Sequence, residues 1–158
     1  MALAQKILTG IGLGARAPPA GWIFDRRITV EAKVSIPANT PANASNNISI
    51  TIDPKVGPVT QFTIPKGYRY VLVDAFIKSS GDVGADGIAK LKRNFYEDHV
   101  ITPPLSTMLV SNPSRPMIAG KSWEEGDTIS GEFINTVAVG AEAKTNTFYL
   151  VFDIYKRG

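Results

Sequence analysis

Alternation of apolar and polar residues with a period of two is the feature that most constrains how this chain can fold. After Arg27, apolar side chains stand at every second position: Ile28, Val30, Ala32, Val34 and Ile36. This pattern predicts a strand with one buried and one solvent-facing side. The strand should end in a polar loop at residues 37–47, which contains two prolines and four asparagines.

Residues 68–80 are apolar on both faces of the predicted strand. This composition indicates an interior strand that is covered on both sides. The residues expected on one face are Tyr70, Leu72 and Phe76, and those expected on the other are Val71, Val73, Ala75 and Ile77.

Strand-like segments recur about every 8–12 residues along the rest of the chain, and no window after residue 20 has helical periodicity. The segment at 128–139 should place Ile129, Phe133, Val137 and Val139 on one face. At 158 residues the chain suits one domain. We therefore predict an all-β fold, a sandwich or barrel of about eight strands.

The first 26 residues differ in composition from the rest and predict an N-terminal extended arm, followed by a β domain at 27–158. The net charge of +3 lies entirely within residues 1–36. Apolar side chains in the arm are too few, and too interrupted by glycine and proline, to form their own core. They should dock on a partner, while the arginines favour acidic neighbouring subunits, a genome or a membrane. The expected contact residues are Ile7, Leu8, Ile11, Leu13, Arg16, Trp22, Ile23, Phe24, Arg26 and Arg27.

The arm also contains the sequence GIGLGA at residues 10–15, which has the spelling of a dinucleotide-binding loop. That loop requires a preceding strand and a following helix. Only nine residues precede Gly10, and Pro18 and Pro19 stop any helix. We therefore predict no nucleotide site and no cofactor, and we expect the glycines to permit a closely packed segment.

Two membrane-related interpretations of the arm are disfavoured. Ala15-Arg16-Ala17 resembles a signal-peptidase site, but Pro18 would follow the cut. The apolar run is about half the roughly 20 residues that span a bilayer. We predict neither a cleaved signal peptide nor a transmembrane helix.

The chain has no cysteine and one histidine, and it has no nucleophile motif. SGDVGADG at 80–87 does not keep the spacing of a calcium loop, so a turn with glycines at positive φ is favoured over an irregular site. Glu97 and His99 could share one side of a strand. Residues 124–127, EEGD, could hold a metal, but a turn is favoured. We predict no enzyme and no metal site.

A basic and aromatic segment is the nearest approach to a nucleic-acid patch: Lys90, Lys92, Arg93, Phe95 and Tyr96. Acidic residues surround it, so a solvated strand face is favoured. Asn43 and Asn47 begin glycosylation sequons, which matter only in a secretory host and mark an exposed loop.

Two segments resemble those of jelly-roll proteins: VTQFTIPKGYRYVLVDAFIKSSG at 59–81 and SWEEGDTISGEFINT at 122–136. Single jelly-roll capsid proteins of icosahedral viruses are one similar group, and their N-terminal arms reach across neighbours. Trimeric heads of the C1q and tumour-necrosis-factor type are another, similar at Phe62, Pro65, Gly67 and Tyr68 and at Gly126-Asp127. The head group does not account for the arm.

The expectation from the sequence is therefore a jelly-roll β-sandwich that acts as a structural, self-assembling subunit, a viral capsid or capsid-associated protein located in the virion. Its partners would be copies of itself and other structural proteins of the assembly. The alternative is a trimeric binding head that recognises a receptor or a glycan through its loops.

Overall fold

Nine β-strands and two single-turn 3₁₀ helices make up the part of the chain that the computed structural model describes, residues 20–116, 118 and 120–158. The 3₁₀ helices are Ser80–Asp82 and Leu105–Thr107. The strands are β1 (Trp22–Ile36), β2 (Ser45–Thr51), β3 (Gln61–Thr63), β4 (Tyr68–Phe76), β5 (Gly87–Arg93), β6 (Glu97–Ile101), β7 (Lys121–Trp123), β8 (Thr128–Asn135) and β9 (Lys144–Arg157).

The strands form two antiparallel sheets. The first sheet has the order β1-β9-β4-β7, and the second has the order β2-β8-β5-β6, with β3 also pairing with β8. Pairing between β1 and β2 at residues 31–34 of β1 joins the two sheets. When the short β3 is set aside, the pairs are nested: β1 pairs with β9, β2 with β8, β4 with β7, and β5 with β6. This nesting is that of a jelly roll, and the predicted fold class is confirmed.

The core lies between the inward faces of the two sheets. Val30, Ala32, Val34 and Ile36 of β1 are each at most 2% exposed, as the alternation predicted. The largest fully buried side chains come from β7, β8 and β9: Trp123, Phe133, Phe148 and Phe152. Burying a side chain of this kind contributes about 2 kcal/mol relative to leaving it exposed.

A β-bulge in β4 changes which of its residues face the core. The register with β9 shifts between Leu72 and Asp74. After this shift Ala75 and Ile77 are fully buried, while Phe76 lies on the outer face, with its ring centroid 5.5 Å from that of Tyr149. The prediction that Phe76 shares a face with Leu72 was therefore wrong, because a bulge inserts one residue and inverts the alternation beyond it.

Two further predictions fail at strand ends. β8 ends at Asn135, so Val137 lies beyond it and is 53% exposed, although Val139 is buried. β2 begins at Ser45, inside the predicted polar loop, because Asn46 is held by the neighbouring strand. The Asn46 side-chain amide donates to the Phe133 carbonyl oxygen at 3.1 Å and to Asn135 Oδ1 at 3.1 Å.

Two glycines of the 80–87 segment, Gly84 and Gly87, are needed for close approach and not for positive φ. A Cβ atom at Gly87 would lie 2.1 Å from the carbonyl oxygen of Ile134, and one at Gly84 would lie 3.0 Å from that of Thr145. The buried side chain of Asn146 fastens the same segment, since its Oδ1 accepts the amide of Gly84 at 2.7 Å. The expectation of positive φ here was wrong, although the segment is a turn region as predicted.

Candidate interaction surfaces

The two halves of β1 have different neighbours. Residues 31–34 lie between β9 and β2, whereas residues 22–28 pair with β9 alone among the described strands. A bulge between Phe24 and Arg26 interrupts that pairing. An edge of this kind presents unpaired backbone amides and carbonyls to which another chain can bind.

Three of the predicted arm residues form the start of β1, which begins before the boundary that composition suggested. Ile23 is 50% exposed and Phe24 is 43% exposed. The Phe24 ring packs edge-on against Tyr155, with centroids 5.8 Å apart, and the Arg157 guanidinium lies 4.7 Å from the centroid of the Trp22 ring. These contacts hold the strand on β9 while leaving apolar surface uncovered.

The two arginines that follow have different environments. Arg26 pairs with the adjacent Asp25 at 3.2 Å and its side chain is 61% exposed. Arg27 instead donates two hydrogen bonds to Asp153, Nε to Oδ1 at 2.6 Å and Nη2 to Oδ2 at 3.0 Å, and Asp153 is 1% exposed. This pairing raises the pKa of Arg27 above its usual value. Arg27 therefore compensates a buried charge in its own domain.

A cleft adjoins this half of β1 at one end of the sandwich. Its volume is about 490 Å³, and its walls include Ile28, Ile52, Phe62 and Tyr70. The Phe62 and Tyr70 rings lie 5.6 Å apart, and burial raises the pKa of Tyr70. We call the start of β1 at residues 22–28, together with this cleft, the β1 surface.

Five of the predicted contact residues lie outside the described residues: Ile7, Leu8, Ile11, Leu13 and Arg16. The GIGLGA segment and the signal-like tripeptide lie there as well. The predictions about them stay predictions.

The acidic turn at 124–127 directs its three carboxylates to different partners. Glu124 pairs with Arg69 at 3.2 Å, Glu125 accepts from Arg157 at 2.6 Å, and Asp127 accepts from Asn94 at 3.0 Å. Asp127 also accepts the backbone amide of Glu124, which closes the turn. The interpretation as a turn is confirmed.

The aspartates of the 80–87 segment are likewise occupied within the chain. Asp82 accepts the amides of Lys78 and Ser79, both at 3.1 Å. Asp86 accepts the amide and the hydroxyl of Ser106. In the described part of the chain, no group of three or more potential ligands is placed to hold a metal ion.

The single histidine bridges the free edges of the two sheets. His99 on β6 donates from Nε2 to the Ser122 carbonyl oxygen on β7 at 2.7 Å, and its ring packs edge-on against Trp123 at 4.8 Å. Its Nδ1 lies 3.7 Å from Glu97 Oε1, so the two residues share a side as predicted. This arrangement fastens β6 to β7 and nearly closes the sandwich.

The basic segment of β5 is neutralised by its neighbours. Lys92 Nζ lies 3.0 Å from Asp98 Oδ1 and 3.3 Å from Glu132 Oε1, and Lys90 also pairs with Asp98. The hydrogen bond between Lys92 and Asp98 raises the pKa of Lys92 and lowers that of Asp98. The pKa of Glu132 is also lowered, mainly by a hydrogen bond from Ser45. Arg93 pairs with Glu97 at 2.7 Å. The interpretation as a solvated strand face is confirmed.

A shallow groove lies on the outer face of the second sheet, beside the turn that joins β5 to β6. Its volume is about 240 Å³. We call it the hairpin groove, and its lining includes Asn47, Gln61, Lys92, Phe95, Ser130 and Glu132. The sequence marks Lys92 and Phe95 as part of a basic and aromatic segment and Asn47 only as part of an exposed loop. It does not mark Gln61, Ser130 or Glu132, which come from β3 and β8.

The described residues contain no helix long and apolar enough to cross a membrane. A scan against protein-family models finds none that matches the chain, and a search of curated proteins finds none that is similar to it.

Proposed function

We propose that this protein is a structural subunit that assembles with copies of itself, and that it belongs to the shell of a virus as a capsid or capsid-associated protein. The observation that carries the proposal is the β1 surface. There, residues 22–28 pair with β9 alone among the described strands and expose Ile23 and Phe24. A cleft lined by Arg26, Asp53 and several aliphatic and aromatic side chains adjoins them. Exposed apolar side chains at a strand edge of this kind are typical of protein interaction sites.

Two further observations support an assembly role. The acidic and histidine side chains that were considered as catalysts or ligands are engaged by partners within the fold, at Glu97, His99 and the turn 124–127. The jelly roll, for its part, is the architecture of the shell proteins that the sequence resembles. The viral assignment rests on that resemblance, since fold alone does not define function.

The proposal gives each part of the arm a distinct role. Residues 22–28 form the docking strand on the β domain, and residues 1–19 reach a neighbouring subunit, a membrane or the genome. Arg26 supplies exposed positive charge for such contacts, while Arg27 stabilises its own domain.

The first test replaces the exposed apolar pair with serine, as the double variant Ile23→Ser and Phe24→Ser. We expect the assembly mass of the wild type, measured by multi-angle light scattering, to grow with concentration and to fall to that of a small species in the variant. Val137→Ser is a matched control, because Val137 is 53% exposed but lies beyond β8 and outside the β1 surface. Undiminished assembly of the double variant would refute the role of this surface.

A second test removes residues 2–19 and keeps all of β1. We expect the truncated chain to keep its β-sheet circular dichroism but to assemble less than the full chain. A wild-type mass that stays at a closed trimer at every concentration would instead favour the trimeric binding head.

A further inference from the structure

The hairpin groove is built from side chains that lie opposite one another on three neighbouring strands. Gln61 of β3 and Lys92 of β5 both oppose Ser130 of β8. Residues directly opposite in antiparallel strands project from the same face of the sheet. Since Ile129 is fully buried in the core, Ser130 and its two neighbours face outward and form the floor of the groove.

Phe95 forms one wall of the groove in an unfavourable backbone conformation. Its φ is +69°, after Asn94 at +55°, and the residue is 55% exposed. A bulky residue at positive φ is an outlier that costs about 1–3 kcal/mol, and such residues cluster at functional sites. Two consecutive positive φ values are typical of a type I′ hairpin turn, in which glycine is the usual second residue. The feature to explain is therefore the exposed phenylalanine that stands in place of glycine.

The turn that carries Phe95 is held firmly in place. The Asn94 side chain accepts the amide of Thr128 at 2.9 Å and donates to Asp127 at 3.0 Å. The Arg93–Glu97 ion pair closes the base of the hairpin. These contacts fix the backbone of the turn, so only the Phe95 side chain has to be ordered when a ligand binds, and this lowers the ordering cost of binding.

The polar part of the groove carries balanced charge. Lys92 and Glu132 line the groove and pair with each other. Asp98 and Lys90 extend this network beside the groove, so that it holds two positive and two negative groups. The amides of Asn47 and Gln61 lie beside this network and add neutral donors and acceptors. Such a surface offers many hydrogen bonds but no net attraction for a phosphate backbone or an acidic peptide.

We propose that the hairpin groove binds a neutral carbohydrate, with one sugar ring packed on Phe95 and its hydroxyls bonded to Asn47, Gln61 and Glu132. A pyranose has an apolar face of C–H groups and a rim of hydroxyls, which matches an aromatic wall beside amide and carboxylate groups. A peptide fits less well, because β8 is paired on both sides at the groove and offers no free strand edge. This proposal is independent of the assembly role.

The test uses the full-length protein and saturation-transfer NMR with the methyl pyranosides of glucose, galactose, mannose and N-acetylglucosamine. We expect at least one of them to bind with a Kd in the millimolar range, which is about −4 kcal/mol and suits a single ring in a shallow groove. A sialylated oligosaccharide and a heparin fragment serve as acidic probes. Absence of binding by every neutral probe, or binding by the acidic probes alone, would overturn the proposal.

The variant Phe95→Gly separates binding from folding. Glycine adopts positive φ without strain, so we expect the variant to be at least as stable as the wild type while its affinity for the sugar falls at least about tenfold. Gln61→Ala should also weaken binding. Tyr96→Ala is the matched control, since Tyr96 is 80% exposed on the same turn but does not line the groove. Unchanged affinity in Phe95→Gly would show that the groove is not the site.

Discussion

The two halves of β1 show how one strand can serve both the core and a surface. In the second half, Val30, Ala32, Val34 and Ile36 are at most 2% exposed. In the first half, Ile23 is 50% exposed and Phe24 is 43% exposed. Both halves pair with β9, but only the second half also pairs with β2, at residues 31–34.

This difference shows that the neighbouring strands, and not the apolar content of β1, decide whether its apolar side chains are buried or exposed. Burying apolar surface is favourable wherever a complementary surface is available. The second half finds that surface within its own chain, opposite the second sheet. The first half lies beside an open cleft and keeps apolar surface that a second chain can cover, and this is the physical basis of the proposed assembly role.

The largest expected effect comes from a charge placed in the second half. Val34→Asp buries a carboxylate at a position that is 1% exposed. Its cross-strand neighbours are Ile48 and Asn146, and the Asn146 amide is already bonded to Gly84 and Ala85. We expect the free energy of unfolding in urea, at fixed protein concentration, to fall by at least about 4 kcal/mol.

Ser35→Asp is the matched control for this variant, because Ser35 is the next residue on the same strand and points outward. We expect its effect to stay within about 0.5 kcal/mol. Similar losses in the two variants would mean that the second half does not face the core as described.

An intermediate effect on the free energy of unfolding is expected at Arg27, which lies where the two halves of β1 meet. Arg27→Ala leaves the 1%-exposed Asp153 without the guanidinium that compensates it. We expect a loss of about 3 kcal/mol in unfolding free energy, at the lower end for a broken buried pair because Arg27 is partly exposed.

Arg26→Ala removes a neighbouring arginine whose partner, Asp25, is adjacent in sequence at the surface. We expect a stability change below about 0.5 kcal/mol. A cost at Arg26 as large as that at Arg27 would contradict the assignment of Arg27 as the structural member of the pair.

The smallest expected effect is that acid weakens the contacts that hold the first half of β1, residues 22–28, on β9. Hydrogen bonds from Arg157 and from the Gly67 amide lower the pKa of Glu125 below its ordinary value of 4.5. Because its pKa is lower in the folded state than in the unfolded state, ionised Glu125 stabilises the fold. This stabilisation is complete above about pH 4.5 and is lost as the pH falls through the pKa that Glu125 has in the folded state. Arg157 also lies over the Trp22 ring, so protonating Glu125 frees the group that holds the start of β1.

The indole N–H resonances of the two tryptophans can measure this effect. Below pH 4.5 we expect that of Trp22 to shift, while that of Trp123, which donates to the Lys92 carbonyl oxygen in the core, stays in place. Glu125→Gln should abolish the shift. A Trp22 titration that persists in this variant would assign the acid effect to another carboxyl.

Several local features were predictable because they depend on neighbours in sequence. The alternation in β1 predicted its buried face, and the Glu-Glu-Gly-Asp turn followed from residue types that favour turns. The positions of Glu97 and His99 on one side of β6 followed from strand geometry. The role of His99 could not be predicted in this way. The Ser122 carbonyl oxygen to which it donates a hydrogen bond belongs to a strand 23 residues further along the chain.

Other features could not be predicted because no local pattern marks them. β4 is apolar on both faces, so its alternation could not reveal the bulge that puts Ala75 in the core and Phe76 outside. The hairpin groove draws Gln61, Lys92 and Ser130 from three strands. Only the register of the second sheet places them side by side.

By itself, the sequence determined the fold class, the strand-rich body and most of the core, since period-two burial is a property of consecutive residues. The tertiary structure alone decided where β1 changes from core to surface, which arginine compensates a buried charge, and which side chains form the groove. Those features arise from pairing between distant strands, and pairing energies depend on packing and burial in three dimensions that a linear pattern does not carry.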